Sequence, residues 1–259
     1  MNSLIVFRRA GILALAGIAL SALPALADDA AIQGRVDSRL RKAHLDSQPD
    51  VQAAVKDGVV TLQGAVTTVA ARNAAEKAAR KESKTVVNRL RVVPESVRSD
   101  AEVRKDAEKA ILGYVHYGVF DSVGLGVQDG AVILTGSVYQ PFHRKDIEAR
   151  VARVPGVREI KNEVGVQSVS LYDERLRREI AFQVYGTGRF TNLSHVSPPV
   201  RIVVDGGRVV LTGYVNSEVE RVMIGHIARG TLAFAVDNQV RLERDNHPED
   251  TPKSHDIEI

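Results

Sequence analysis

Three stretches of the chain alternate apolar and polar residues directly after a glycine turn: residues 57–66 (DGVVTLQGAV), 129–138 (DGAVILTGSV) and 206–215 (GGRVVLTGYV). Asp-Gly or Gly-Gly between two β-rich runs predicts a type I′ hairpin, because both central residues of that turn need a positive φ. The alternation that follows predicts a strand with one buried face. A second glycine falls on that face in each stretch, and there we expect a helix to approach closely.

Helical spacing of apolar residues precedes and follows each hairpin. The leading helices are predicted from Ile32, Val36, Leu40 and Ala43 in the first copy, Val103, Ala107, Ala110, Ile111 and Tyr114 in the second, and Leu176, Ile180 and Val184 in the third. The second helices are predicted over 68–81, 140–153 and 217–229. Ser99 with Glu102, and Ser217 with Glu220, have the spacing of capping boxes.

A third strand with one shared pattern closes each copy, over residues 86–92, 160–166 and 236–242. The sequence therefore predicts an α+β protein of three tandem small αββαβ domains, each a small sheet with helices packed on one face. We place the domains at 30–96, 99–168 and 169–244. An asparagine occupies the same slot in each third strand. It could be a ligand contact, but we favour bonding to nearby backbone.

The two ends of the chain differ from this pattern. Residues 1–27 combine Arg8 and Arg9, an apolar run and a final Ala-Leu-Ala, which is typical of a secretory signal peptide cleaved after Ala27. An uncleaved membrane anchor is the alternative. The mostly polar residues 245–259, with two prolines, are predicted to be a disordered tail. The chain has no cysteine, which suits an oxidising compartment outside the cytoplasm.

Charge distinguishes the first copy from the others. Residues 28–98 carry 13 basic and 9 acidic side chains, a net charge of +4, whereas residues 99–168 and 169–259 carry −1 and −2. The first copy is therefore the candidate for contact with an anionic surface, and an ordinary solvated helix face is the alternative. The candidate residues are Lys77, Arg80, Lys81 and Lys84 at helical spacing, with Arg89 and Arg91 pointing outward from the adjacent strand.

No motif in the sequence points to catalysis. The seven histidines form no H-E-x-x-H or comparable metal spacing, and neither G-x-S-x-G nor S-x-x-K occurs. We predict no catalytic residue, no metal site and no cofactor. The overall formal charge of +3 is also weak for a nucleic-acid binder of this size, so we predict none as a partner.

The repeated pattern resembles the BON domain, named for bacterial OsmY and nodulation proteins. The resemblance covers about residues 30–244 and rests on the in-phase glycines and asparagines and on an arginine eight residues after each second glycine. These residues are Gly58, Gly64, Arg72 and Asn88, then Gly130, Gly136, Arg144 and Asn162, then Gly207, Gly213, Arg221 and Asn238. Gly156-Val157 before the third strand also fits the family pattern, whereas Glu82-Ser83 and Leu232-Ala233 depart from it.

The resemblance implies a non-enzymatic periplasmic protein of the cell envelope. It implies peripheral attachment to phospholipid surfaces and support of envelope integrity under osmotic or other stress. The alternative is a periplasmic protein–protein interaction or chaperone-like module, with envelope proteins as partners. Salt dependence separates the two, since headgroup attraction is screened by salt and an apolar interface is not.

Overall fold

The structure is a computed structural model that describes residues 23–43, 45, 51–190, 193 and 198–246. The predicted signal peptide lies outside the described residues up to residue 22, and the predicted tail lies outside them beyond Asn246. The chain divides into two compact units. Unit 1 comprises Met1–Ala65 and Asn73–Arg91, and unit 2 comprises Val66–Arg72 and Val92–Ile259.

The first copy is an αββαβ arrangement around a three-stranded sheet. Its strands lie in the order β1-β2-β3, and β1 and β2 form an antiparallel hairpin in which Lys56 pairs with Val59. Its elements are α1 (Leu23–Lys42), β1 (Gln52–Lys56), β2 (Val59–Val66), α2 (Val69–Ala79) and β3 (Thr85–Val92).

The second copy repeats the arrangement. The hairpin strands β4 and β5 are antiparallel, and β6 and β7 run parallel to β5 after the crossover helix. The elements are α3 (Asp100–Leu112), β4 (Ser122–Gln128), β5 (Ala131–Val138), α4 (Pro141–Val151), β6 (Glu159–Asn162) and β7 (Gly165–Val166). Val132, Leu134 and Val138 of β5 are buried in one aliphatic core with residues of α3 and α4.

The third copy has the same topology with one irregular helix. Its hairpin strands β8 and β9 are antiparallel, and β10 and β11 run parallel to β9. The elements are α5 (Leu171–Ala181), a π-helix (Phe182–Gly186), β8 (Val200–Asp205), β9 (Arg208–Val215), α6 (Glu218–Arg229), β10 (Ala235–Asn238), β11 (Arg241–Leu242) and a 3₁₀ turn (Glu243–Asn246).

The predicted fold class is confirmed, and so are both capping boxes. The Ser99 and Ser217 side chains accept hydrogen bonds from the backbone of Glu102 and Glu220, whose side chains bond back to the caps. The third strand differs from the prediction in detail. It is continuous in the first copy, but it is interrupted after Asn162 and after Asn238 in the other two.

The reason predicted for the second glycine, close approach of a helix, was wrong for Gly136 and Gly213. Gly64, Gly136 and Gly213 have φ values of 116°, 89° and 105°, a region that side chains other than glycine rarely adopt. Gly136 is exposed rather than covered by a helix. A Cβ atom there would clash with the Ser122 carbonyl oxygen of the paired strand, and at Gly213 with that of Pro199. The glycine therefore serves the hairpin, not helix packing.

An aspartate in the N-terminal half of each leading helix holds the hairpin turn of its copy. Its two carboxylate oxygens accept hydrogen bonds from two successive backbone N–H groups of the turn, at 2.7–3.0 Å. The aspartates are Asp29 (to Asp57 and Gly58), Asp100 (to Asp129 and Gly130) and Asp173 (to Gly206 and Gly207). Sequence reasoning missed this contact, although its signal was an aspartate at the same end of three leading helices.

Candidate phospholipid-binding surface

All six candidate basic side chains of the first copy are exposed, but they do not form one helical stripe. Helix α2 ends at Ala79, so only Lys77 lies on it. Arg80 and Lys81 lie in the turn that follows, and Lys84 lies in the loop before β3. The predicted helix end at residue 81 was therefore two residues too late.

Arg89 and Arg91 lie on the opposite face of the sheet from α2. The Asn88 side chain bonds to Glu76 of α2, so its neighbours on β3 must point away from the helix. The same alternation on β1 leaves Lys56 exposed on that outer face. The structure thus separates two groups of cations: a helix-end set of Lys77, Arg80, Lys81 and Lys84, and a sheet-face set of Lys56, Arg89 and Arg91.

The loop that carries the helix-end set is fixed by an ion-pair cluster within unit 1. The Glu82 carboxylate accepts hydrogen bonds from Arg35 and Arg39 of α1, and only 9% of its side chain is exposed. The two guanidinium groups, Arg39 foremost, hold the pKa of Glu82 below its ordinary value. Ser83 adds a 2.5 Å bond from its hydroxyl to the Gly58 carbonyl oxygen. Glu82-Ser83, a departure from the family pattern, thereby orders this loop.

One cation of the helix-end set has an acidic partner. Arg80 forms a 2.6 Å ion pair with Glu76, one helical turn earlier, and Glu76 also accepts the bond from Asn88. An exposed pair of this kind contributes little to stability, but it offsets part of the positive charge of Arg80. We therefore expect Lys77, Lys81 and Lys84 to dominate the field of this set.

The repeated asparagines make similar hydrogen bonds in all three copies. Each accepts a hydrogen bond from the backbone N–H two residues later, and each donates to the second helix of its copy. Asn88 donates to the Glu76 carboxylate. Asn162 donates to the Glu148 carboxylate and to the Arg144 carbonyl oxygen. Asn238 donates to the Arg221 carbonyl oxygen. This geometry turns the asparagine inward toward the second helix, and we interpret its role as structural.

The second copy holds a buried His–Asp pair that sequence reasoning did not single out. His143 Nδ1 lies 3.0 Å from Asp121 Oδ1, and both side chains are buried. The same carboxylate accepts the backbone N–H groups of Gly118 and Tyr139, so both its oxygens are bonded within the fold. Nearby Tyr114 donates to Asp146, and burial raises its pKa to about 12. The cluster therefore serves structure.

Within the described ranges, no group of three histidine or acidic side chains could hold a metal ion. Across the same ranges, no helix is long and apolar enough to cross a membrane. The feature of the first copy that could bind a ligand is its set of exposed Lys and Arg side chains, on a loop and a sheet ordered by hydrogen bonds and ion pairs.

Comparison with protein families matches the chain to the BON domain at residues 28–94, 99–168 and 190–244. The chain belongs to the BON domain family, with three copies. BON domains are non-catalytic and are linked to membrane and phospholipid interaction and to stress. No match was found among curated proteins.

Two solved structures show distant similarity to the chain. One is described as CdsD, a structural protein of the type III secretion system of Chlamydia trachomatis, with 15% identity and a TM-score of 0.23, covering 86% of this chain and 98% of that one. The other is the C-terminal domain of CdsD, with 14% identity, a TM-score of 0.25, and coverage of 81% and 96%. TM-scores this low support no conclusion about this chain.

Proposed function

We propose that the protein is a periplasmic envelope protein whose first BON copy binds anionic phospholipid surfaces peripherally. In this role it supports envelope integrity under osmotic or other stress. Membership of the BON family supports the class of function, and BON proteins are often periplasmic. A signal peptide at residues 1–27 would supply the export step.

The observation that carries the proposal is the exposure of every candidate cation in a copy with a net charge of +4. A cation near an anionic bilayer contributes about 1 kcal/mol to binding. The helix-end set and the sheet-face set lie on different sides of the same small sheet. We propose the helix-end set as the main contact, because it has four cations on one short segment.

Vesicle sedimentation with the chain beginning at Asp28 tests this proposal. We expect binding to vesicles that contain phosphatidylglycerol, weaker binding as salt rises, and little binding to phosphatidylcholine alone. Reversal of Lys77, Arg80, Lys81 and Lys84 to Glu should lower the affinity by roughly three decades, given about 1 kcal/mol per contact.

The matched control reverses the sheet-face set, Lys56, Arg89 and Arg91, to Glu. If this variant loses binding while the helix-end variant retains it, the contact lies on the outer face of the sheet. If neither variant alters binding, or the parent chain binds no anionic vesicle, the lipid proposal fails and the protein–protein alternative leads. Circular dichroism must show native helix content in both variants.

A further inference from the structure

Copy three exposes large apolar side chains on two segments that pack against its hairpin turn. Leu232 is 73% exposed and Phe234 77%, on the loop between α6 and β10. Leu171, at the start of α5, is 90% exposed, and Val169 before it is fully exposed. We call Val169, Leu171, Leu232 and Phe234 the apolar tip. Single exposed apolar side chains are routine on the surfaces of soluble proteins. A cluster of several such side chains, in contrast, marks an interaction site.

The backbone of the tip is held firmly although its side chains are exposed. Phe234 donates its backbone N–H to the Gly207 carbonyl oxygen at 2.8 Å. The Tyr172 ring stacks on the Phe234 ring with 5.3 Å between centroids, and the Tyr172 hydroxyl donates to the Leu232 carbonyl oxygen. Ser168 donates its N–H to Asp205 beside the turn at 2.9 Å. The two segments and the turn therefore present one preformed surface.

Comparison of the three copies singles this loop out. The residues six before the repeated asparagine are Glu82, Gly156 and Leu232, and those four before it are Lys84, Arg158 and Phe234. In copies one and two the loop therefore carries charge or glycine, whereas in copy three it carries two large apolar residues. Glu82 is bonded within its copy, but Leu232 points into solvent.

We propose that the apolar tip enters the boundary between headgroups and acyl chains of a phospholipid bilayer. A protruding group of apolar side chains suits a fluid lipid phase, whereas protein interfaces centre on side chains seated in packed pockets. Arg208, next to the turn, and Arg175, one helical turn beyond Leu171, are exposed and would face anionic headgroups. The inference rests on the proposed function, and it adds a contact that salt does not screen.

The chain contains no tryptophan, so a single introduced one reports on the tip directly. In Phe234→Trp we expect emission to shift to shorter wavelength on binding to phosphatidylglycerol-containing vesicles. Lipids with brominated acyl chains should quench it. The control is Val219→Trp, an exposed apolar position at the opposite end of α6, which should show neither effect.

A loss-of-function variant complements the reporter. Leu232→Ser with Phe234→Ser should lower vesicle affinity roughly tenfold or more, most visibly at high salt where charge attraction is screened. The matched control is Val219→Ser with Val222→Ser on α6. The tryptophan measurement decides the matter if the double tip variant does not fold.

The outcomes separate this inference from the function on which it rests. If Phe234→Trp sediments with vesicles but is neither shifted nor quenched, the tip does not insert, and charge-driven binding still stands. If the protein does not sediment at all, both proposals fail. If the emission shifts without lipid as protein concentration rises, the tip binds a second copy of the chain, and lipid insertion is overturned.

Discussion

Gly136 allows β5 to pass close to its hairpin partner. Its φ of 89° lies in the left-handed region, and a Cβ atom there would clash with the Ser122 carbonyl oxygen. We predict that Gly136→Val destabilises copy two by about 1–3 kcal/mol, because both the backbone conformation and the available space oppose a side chain. Native-state hydrogen exchange at the β4 and β5 amides of the full chain measures this.

Gly126 is the matched control on the facing strand. A Cβ atom there would approach only Ile133, at 3.9 Å or more, and its backbone needs no positive φ. Gly126→Ala should therefore leave exchange of the same amides nearly unchanged. Equal effects of the two substitutions would show that glycine at position 136 has no special role.

The aspartate that holds each hairpin turn gives a second prediction. Asp100 bonds the N–H groups of Asp129 and Gly130 at 2.8 and 2.9 Å. Asp100→Ala should cost about 1–3 kcal/mol in the stability of copy two, and Asp100→Asn less, because the amide keeps one acceptor oxygen. Urea unfolding of the full chain tests whether Asp100→Ala loses more stability than Asp100→Asn. Glu108→Gln, exposed on the same helix, should have no effect.

The roles of single residues were predictable from the sequence where backbone conformation determines which residue type fits a position. Gly58 and Gly130 mark their turns because a positive φ favours glycine, and the inward asparagines follow from strand alternation. The role of Gly136 was misassigned because alternation alone does not distinguish a positive φ from close packing. The contact of Asp100 was missed because its partners lie about 30 residues away in sequence.

The contact between α1 and the loop after α2 depends on pH. Arg39 and Arg35 hold the pKa of Glu82 below its ordinary value of 4.5, so the contact stabilises the fold above that pH. Its contribution is lost as pH falls through the lowered value. We predict that Glu82→Gln destabilises the chain at neutral pH and that its difference from the parent shrinks at an acidic pH well below 4.5.

Thermal unfolding of both proteins at the two pH values, followed by circular dichroism, tests this prediction. Glu95→Gln, in the exposed segment after β3, is the control and should match the parent at both. A difference between Glu82→Gln and the parent that stays constant with pH would show that the carboxylate charge does not contribute.

Secondary-structure elements were predictable in type and order but less so in their ends. The helix α2 stops at Ala79 because Glu82 and Ser83 bond to other segments, and the cations beyond it therefore leave the helical spacing. The third strand breaks after Asn162 and Asn238, although the alternation of apolar and polar residues in the sequence continues past both asparagines. The π-helix at Phe182–Gly186 has no signal in the apolar pattern. Hydrogen bonds between side chains and segments far apart in sequence determine where such helices and strands end.

Within unit 2, copies two and three pack directly on each other. Val119 of copy two accepts the Ile202 N–H of the edge strand β8 at 2.7 Å. The Arg201 guanidinium lies over the Tyr117 ring, 4.5 Å from its centroid, and donates to the Gly118 carbonyl oxygen at 2.8 Å. The sequence did not predict this docking, because an arginine on the outer face of a strand looks like any solvated residue.

We predict that Arg201→Met weakens this docking while both copies stay folded. The substitution keeps the apolar stem but removes the bond to Gly118 and the attraction to the Tyr117 ring, together worth about 2 kcal/mol. Native-state hydrogen exchange at the Ile202 amide should therefore quicken roughly thirtyfold, at about 1.4 kcal/mol per decade. Arg241→Met, at an exposed arginine of β11 in the same sheet, should leave that amide unchanged. If exchange at Ile202 is unaltered in Arg201→Met, the arginine does not hold the two copies together, and other contacts, such as the Val119 bond and the Ser122–Thr212 and Tyr139–Glu174 hydrogen bonds, maintain the docking.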